Sequence, residues 1–136
     1  MSSDGIVKRR RTAAALWGLL IAGAAYLFFF EPGKNGFFPG CPFRAVTGYT
    51  CPGCGTTRAL HQLLHGNFLA AFELNALLVV VLPVLAIVLF MYTNSAISGR
   101  PMPHLNLPPK YVWVISAVVI GFWILRNTTA YPFPPI

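Results

Sequence analysis

Three apolar runs, separated by stretches rich in glycine, proline and polar side chains, set the plan of this 136-residue chain. Residues 13–30 carry no charge, and a run of that length approaches the roughly 20 residues a helix needs to cross a hydrocarbon core. Residues 76–92 form the second run, which Pro83 is expected to kink. Residues 111–125 form the third, which is short. It spans by local thinning of the bilayer or by extending into the apolar flank at 105–109. The pattern predicts an all-α membrane protein with three transmembrane helices.

The polar intervals predict the rest. Residues 1–12 are a basic tail of little order. With the first run they also resemble a secretory leader, but leader apolar regions usually span about 7–15 residues and this one continues to Phe30, so a retained helix is expected. Glu31-Pro32-Gly33-Lys34 ends it with helix breakers. The aromatic and proline-rich stretch at 37–43 suits the membrane interface and no regular helix.

From Thr57 to His65 the pattern is amphipathic. Ala59, Leu60, Leu63 and Leu64 share one face, and Arg58, His61, Gln62 and His65 the other. Thr56 or Thr57 is the expected N-cap and Gly66 the stop. Asn67 then caps a second short helix at 68–74. Residues 31–75 are thus expected to form a short two-helix interfacial cap. Glu73 and Asn75, polar residues beside the second crossing, are costly in hydrocarbon and should sit at the interface or against protein. Residues 93–110 read as a proline-rich loop and 126–136 as a tail.

Composition strengthens this picture. Hydrophobic residues make up 56% of the chain and charged residues 10%, against about 25% charged in soluble domains. The net charge of +7 does not point to nucleic acid, because Lys8, Arg9, Arg10 and Arg11 directly precede the first helix. That placement is a topology signal and an attraction for anionic lipid head groups. Three crossings place six cations (those four, Arg100 and Lys110) on the side of the N-terminus and four (Lys34, Arg44, Arg58, Arg126) on the other. The expected location is the inner membrane of a cell, with the N-terminus cytoplasmic and the cap outside, where disulfides are tolerated in bacteria. Three acidic residues give paired-carboxylate catalysis little material. Three cysteines cannot all pair within one chain.

Candidate chemistry concentrates in Cys51-Pro52-Gly53-Cys54-Gly55-Thr56-Thr57-Arg58, a stretch open to four readings. It is a structural turn, with proline and glycines shaping the entry to a helix. It is half of a metal site, with Cys41, Cys51, Cys54 and His61 or His65 as candidate ligands for zinc. It is a thiol–disulfide centre at a helix N-terminus, without the pattern of a thioredoxin fold. Or Gly53, Gly55, Thr56, Thr57 and Arg58 cradle an anion such as a lipid phosphate, without the spacing of a nucleotide-binding loop. A non-enzymatic membrane protein with a structural or ligand-binding cysteine cap is the leading expectation.

The ordered string Cys41-Pro42-Phe43, Thr47-Gly48, Cys51-Pro52-Gly53-Cys54-Gly55-x-Thr57-Arg58-Ala59, Leu64-His65-Gly66, Ala70-Ala71 and Asn75, with Arg126-Asn127 near the end, resembles the domain of unknown function 2752 family. These are small bacterial integral membrane proteins. The resemblance implies membrane location and a retained first helix, and it supplies no substrate. Family members usually carry Asn-Pro where this chain has Asn75-Ala76, so a helix break there is not assured by the motif.

Overall fold

A computed structural model of the chain describes residues 3–34, 38, 40–99 and 108–128. Within them the chain is helical: α1 (Ser3–Phe29), α2 (Pro42–Thr47), α3 (Thr56–Leu64), α4 (Phe68–Ser98) and α5 (Pro109–Arg126). Three of these, α1, α4 and α5, are long and apolar enough to cross a membrane, and only 6% of each apolar window is buried within the protein. Such a surface has no stable place in water, so it faces lipid. The remaining helices form the cap at one end of the three.

Two details of the crossings differ from expectation. The basic tail is not loose: α1 begins at Ser3. Arg10 explains part of this, because its guanidinium donates to the carbonyls of Ile97 (2.8 Å) and Ala96 (3.3 Å) at the end of α4. The last carbonyls of a helix lack intrahelical donors and carry partial negative charge, so a cation there is favoured. For the same reason α4 runs on to Ser98, through the start of the expected 93–110 loop, and stops at Gly99 in a left-handed conformation (φ 69°). Trp17 Nε1 donates to Thr93 Oγ1 at 3.0 Å and sets the register of antiparallel α1 and α4. Arg100 and the rest of that loop up to residue 107 lie outside the described residues, as do residues 129–136 of the tail.

Pro83 lies inside α4, yet the non-helical backbone is at Asn75 (φ −159°, ψ 89°). The helix therefore breaks where the short helix at 68–74 was expected to end, without a following proline. Beyond the break, residues 76–98 make about 35 Å of helix, enough for one crossing.

The cap holds one helix more than the pattern predicts. Pro42 at the first position suits a helix start, and α2 ends at Gly48 (φ 76°). The N-cap of α3 is Gly55 in a left-handed conformation (φ 82°), not Thr56 or Thr57. A side chain would resist that conformation, so glycine here is what lets the cysteine turn feed a helix. Asn67 occupies the N-cap of α4 without capping it; its Nδ2 donates instead to Gln62 Oε1 at 2.8 Å. Ala59 of α3 and Ala71 of α4 are completely buried, and small side chains at that crossing let the two backbones approach closely.

Candidate functional site: a three-thiol cluster in the cap

The cysteine loop is held from three directions. Within it, Cys54 N–H donates to Cys51 O and Thr56 N–H to Gly53 O, both at 3.1 Å. From α4, buried Asn75 donates through Nδ2 to Pro52 O (3.1 Å), Cys54 O (3.3 Å) and Thr56 Oγ1 (3.2 Å). Its Oδ1 accepts from Leu78 N–H at 3.0 Å, the bond of an N-cap to the third residue of a new helix. One amide thus starts the transmembrane part of α4 and braces the loop beside it.

The third hold comes from α5. Asn127 Oδ1 accepts from Thr50 N–H and Thr50 Oγ1, both at 2.9 Å, while its Nδ2 donates to Thr50 O (2.9 Å) and Trp123 O (2.8 Å). Trp123 Nε1 also donates to Thr50 O at 2.9 Å. Thr50 immediately precedes Cys51, so the end of α5 pins the entry to the loop. Next to Asn127, buried Arg126 donates to Leu74 O at 2.9 Å, at the break in α4.

These braces bring the three sulfurs together. Cys51 Sγ lies 3.0 Å from Cys54 Sγ and 3.5 Å from Cys41 Sγ, and all three atoms fall within 4.8 Å of one another. Four thiolates around zinc at about 2.3 Å stand roughly 3.8 Å apart, so three sulfurs this close together need only small adjustments to form one tetrahedral face. Cys51 N–H donates to Cys54 Sγ at 3.2 Å, the kind of bond that supports a thiolate. Beside the sulfurs opens a cleft of about 300 Å³, lined also by Gly53, Gly55, Thr56, Thr57 and Arg58.

The thiols are not equivalent. The backbone N–H of Arg44, then the Cys54 and Cys51 side chains, lower the Cys41 thiol to about 7. Burial, then the Cys51 side chain, pushes Cys54 up to about 11. A depressed thiol is thiolate above its titration point and a raised one stays protonated until well beyond neutrality. In the reduced, metal-free protein, iodoacetamide should therefore modify Cys41 at a rate that climbs through pH 7 and then levels off. Cys54 should stay unmodified until the pH nears 11. Peptide mass spectrometry over a pH series reads both, and equal rates for the two thiols at pH 7 would contradict the arrangement.

The other candidate residues fall elsewhere. His61 and His65 are outside the sulfur cluster and turn toward α1: His61 Nδ1 meets Leu27 O, and His65 stacks on Phe28 with ring centroids 4.4 Å apart. Of the five residues considered as metal ligands, the fold gathers the cysteines and leaves the histidines apart. Of the anion candidates, Thr56 Oγ1 is engaged by Asn75, whereas Thr57 and Arg58 are exposed. Arg58 also lines a second cleft, of about 380 Å³, with Glu31, Lys34 and His61. Glu73 is exposed and Asn75 buried, so only one of that pair serves the site. The roles of Thr50 and Trp123 carried no signal in the linear pattern. The Arg126-Asn127 pair and Asn75 did, as members of the motif string.

No curated protein and no solved structure matches the chain. Residues 41–89 match the family model described as Protein of unknown function (DUF2752). That segment opens on Cys41, includes the cysteine loop, α3 and Asn75, and ends within the second crossing. The match covers the part of the chain that carries most of the motif string, and it supports the resemblance to that family.

Proposed function

We propose that the cap is a three-thiolate metal site, built from Cys41, Cys51 and Cys54 and held at the membrane surface by the three long helices. The observation that carries this reading is the convergence of three sulfurs, rather than two, within 4.8 Å. A structural disulfide needs one pair, whereas a metal ion needs every donor at one point. Thiolates favour zinc or another thiophilic ion, and three protein ligands leave a fourth position for water or an incoming group. The adjoining cleft supplies room for such a group, and Arg58 on its rim favours an anion. In this reading the protein binds rather than catalyses.

A second reading rests on the central place of Cys51, in contact with both other sulfurs. With a Cys51–Cys54 disulfide in place, the Cys41 thiolate attacks Cys51 Sγ. The Cys41–Cys51 bond forms, the Cys51–Cys54 bond breaks, and Cys54 leaves as thiolate. That exchange is redox-neutral and needs no further reactant. Elemental analysis and intact mass of protein purified in detergent separate the two. About one zinc per chain, with three thiols alkylatable after chelation and denaturation, supports the metal site, and a mass two hydrogen atoms low without metal supports the disulfide.

The cap is proposed to face away from the cytoplasm of a bacterial inner membrane, on the strength of the cations before the first helix. A membrane-impermeant maleimide applied to intact spheroplasts should then label Cys41. Labelling only after lysis would reverse the orientation.

A further inference from the structure

The histidines that fall outside the sulfur cluster form an arrangement of their own. His61 and His65 lie one turn apart on α3, with ring centroids 4.3 Å apart and planes inclined by 39°. His61 Nδ1 contacts the carbonyl oxygen of Leu27 at the end of α1. His65 Nδ1 contacts the carbonyl oxygen of His61 at 2.8 Å. A carbonyl only accepts, so each Nδ1 carries the ring proton, and in the neutral imidazoles each Nε2 keeps a free lone pair. The His65 ring is fixed further by its stack on Phe28, nearly parallel at 6°.

That orientation is the one metal-ligating histidines adopt: one nitrogen committed to a carbonyl, the other left for the ion. Histidines four positions apart share a helix face, which lets one helix offer two imidazoles to a single ion. His61 lines the cleft of about 380 Å³ together with Glu31 and Gln62, and His65 is exposed, so an ion has a way in.

We propose that His61 and His65 form a second metal site, distinct from the thiols, which takes a borderline divalent cation such as Ni²⁺, Cu²⁺ or Zn²⁺ through the two Nε2 atoms. Imidazole nitrogen suits these ions, and water completes the coordination. Because His61 is tied to the last turn of α1, an ion held there would tie the first crossing more firmly to the cap.

The test uses the full chain in detergent, purified through a tag without histidine, with the part-buried Cys41 and Cys51 alkylated so that the thiol site cannot form and compete. Calorimetric titration with Ni²⁺ should show one site. Its affinity should fall at least about tenfold in H65A, the scale on which even supporting residues of metal sites act. H61A should lose the site as well. Unalkylated H65A should keep its thiol-bound metal, which shows that the variant folds. Absence of Ni²⁺ binding by the alkylated wild type, or equal binding by H65A, would overturn the proposal. Failure of the thiol site would appear separately, as unalkylated wild-type protein that holds no metal.

Discussion

Replacement of Asn75 by leucine should destabilise the cap by about 3 kcal/mol, from a lost N-cap worth about 1 kcal/mol and buried acceptors left without donors at about 1–3 kcal/mol. Asn75 is only 1% exposed, so water cannot replace what it donates to Pro52 O, Cys54 O and Thr56 Oγ1. Thermal unfolding in detergent measures the loss. Alkylation of Cys54, protected by burial in the native cap, reports where it occurs. A second variant separates the two roles of the amide. Aspartate caps helices as well as asparagine does, so N75D keeps the acceptor for Leu78 N–H but turns an oxygen toward three oxygens. N75D should be at least as unstable as N75L. Near-wild-type stability in N75D would mean that only the cap matters and that Asn75 does not brace the loop.

Substitution C54S should abolish stoichiometric metal, with affinity down by about 100-fold or more, beyond the 10–100-fold typical of residues that only support ligands. Cys54 is buried at the centre of the loop and its sulfur lies 3.0 Å from that of Cys51, so serine at the same position offers a harder, less polarisable donor. C41S should behave alike, although Cys41 lies ten residues before Cys51 in sequence. H65A should retain the metal, because its ring lies on Phe28 and outside the cluster. Competition with a colorimetric chelator reads all three variants. Loss of metal in H65A to the same extent as in C54S would make a mixed sulfur–nitrogen site the better description.

Much of the fold was legible because a bilayer imposes a simple rule: apolar runs of sufficient length become helices that satisfy their own backbone. Residues 76–92 and 111–125 fall within long helices for that reason, and residues 13–30 do so up to Phe29. The errors lie at the ends, where distant groups decide. Arg10 supports the last turn of α4 from 86 positions away, and no local pattern reveals such a partner. Gly55 displaced the threonines as N-cap because the cysteine turn enters α3 in a left-handed conformation, which a hydroxyl side chain resists more than it gains by capping.

The candidate site divides along the same line. Three cysteines, the Pro-Gly turn between two of them and the polar face of α3 were visible in the chain, since each is a matter of residue type and spacing over a few positions. A metal site for four ligands of mixed kind was equally consistent with that spacing. The sequence by itself determined the membrane-spanning plan, the chemical identity of the donors and their concentration between the first two crossings. Only the tertiary structure decided which donors meet. The break at Asn75 and the grip of Asn127 on Thr50 draw the cysteine loop onto Cys41, while the carbonyl of Leu27 and the ring of Phe28 turn the histidines the other way. Buried polar groups must find partners wherever the chain brings them within reach, and that reach is a property of the fold, not of the order of residues.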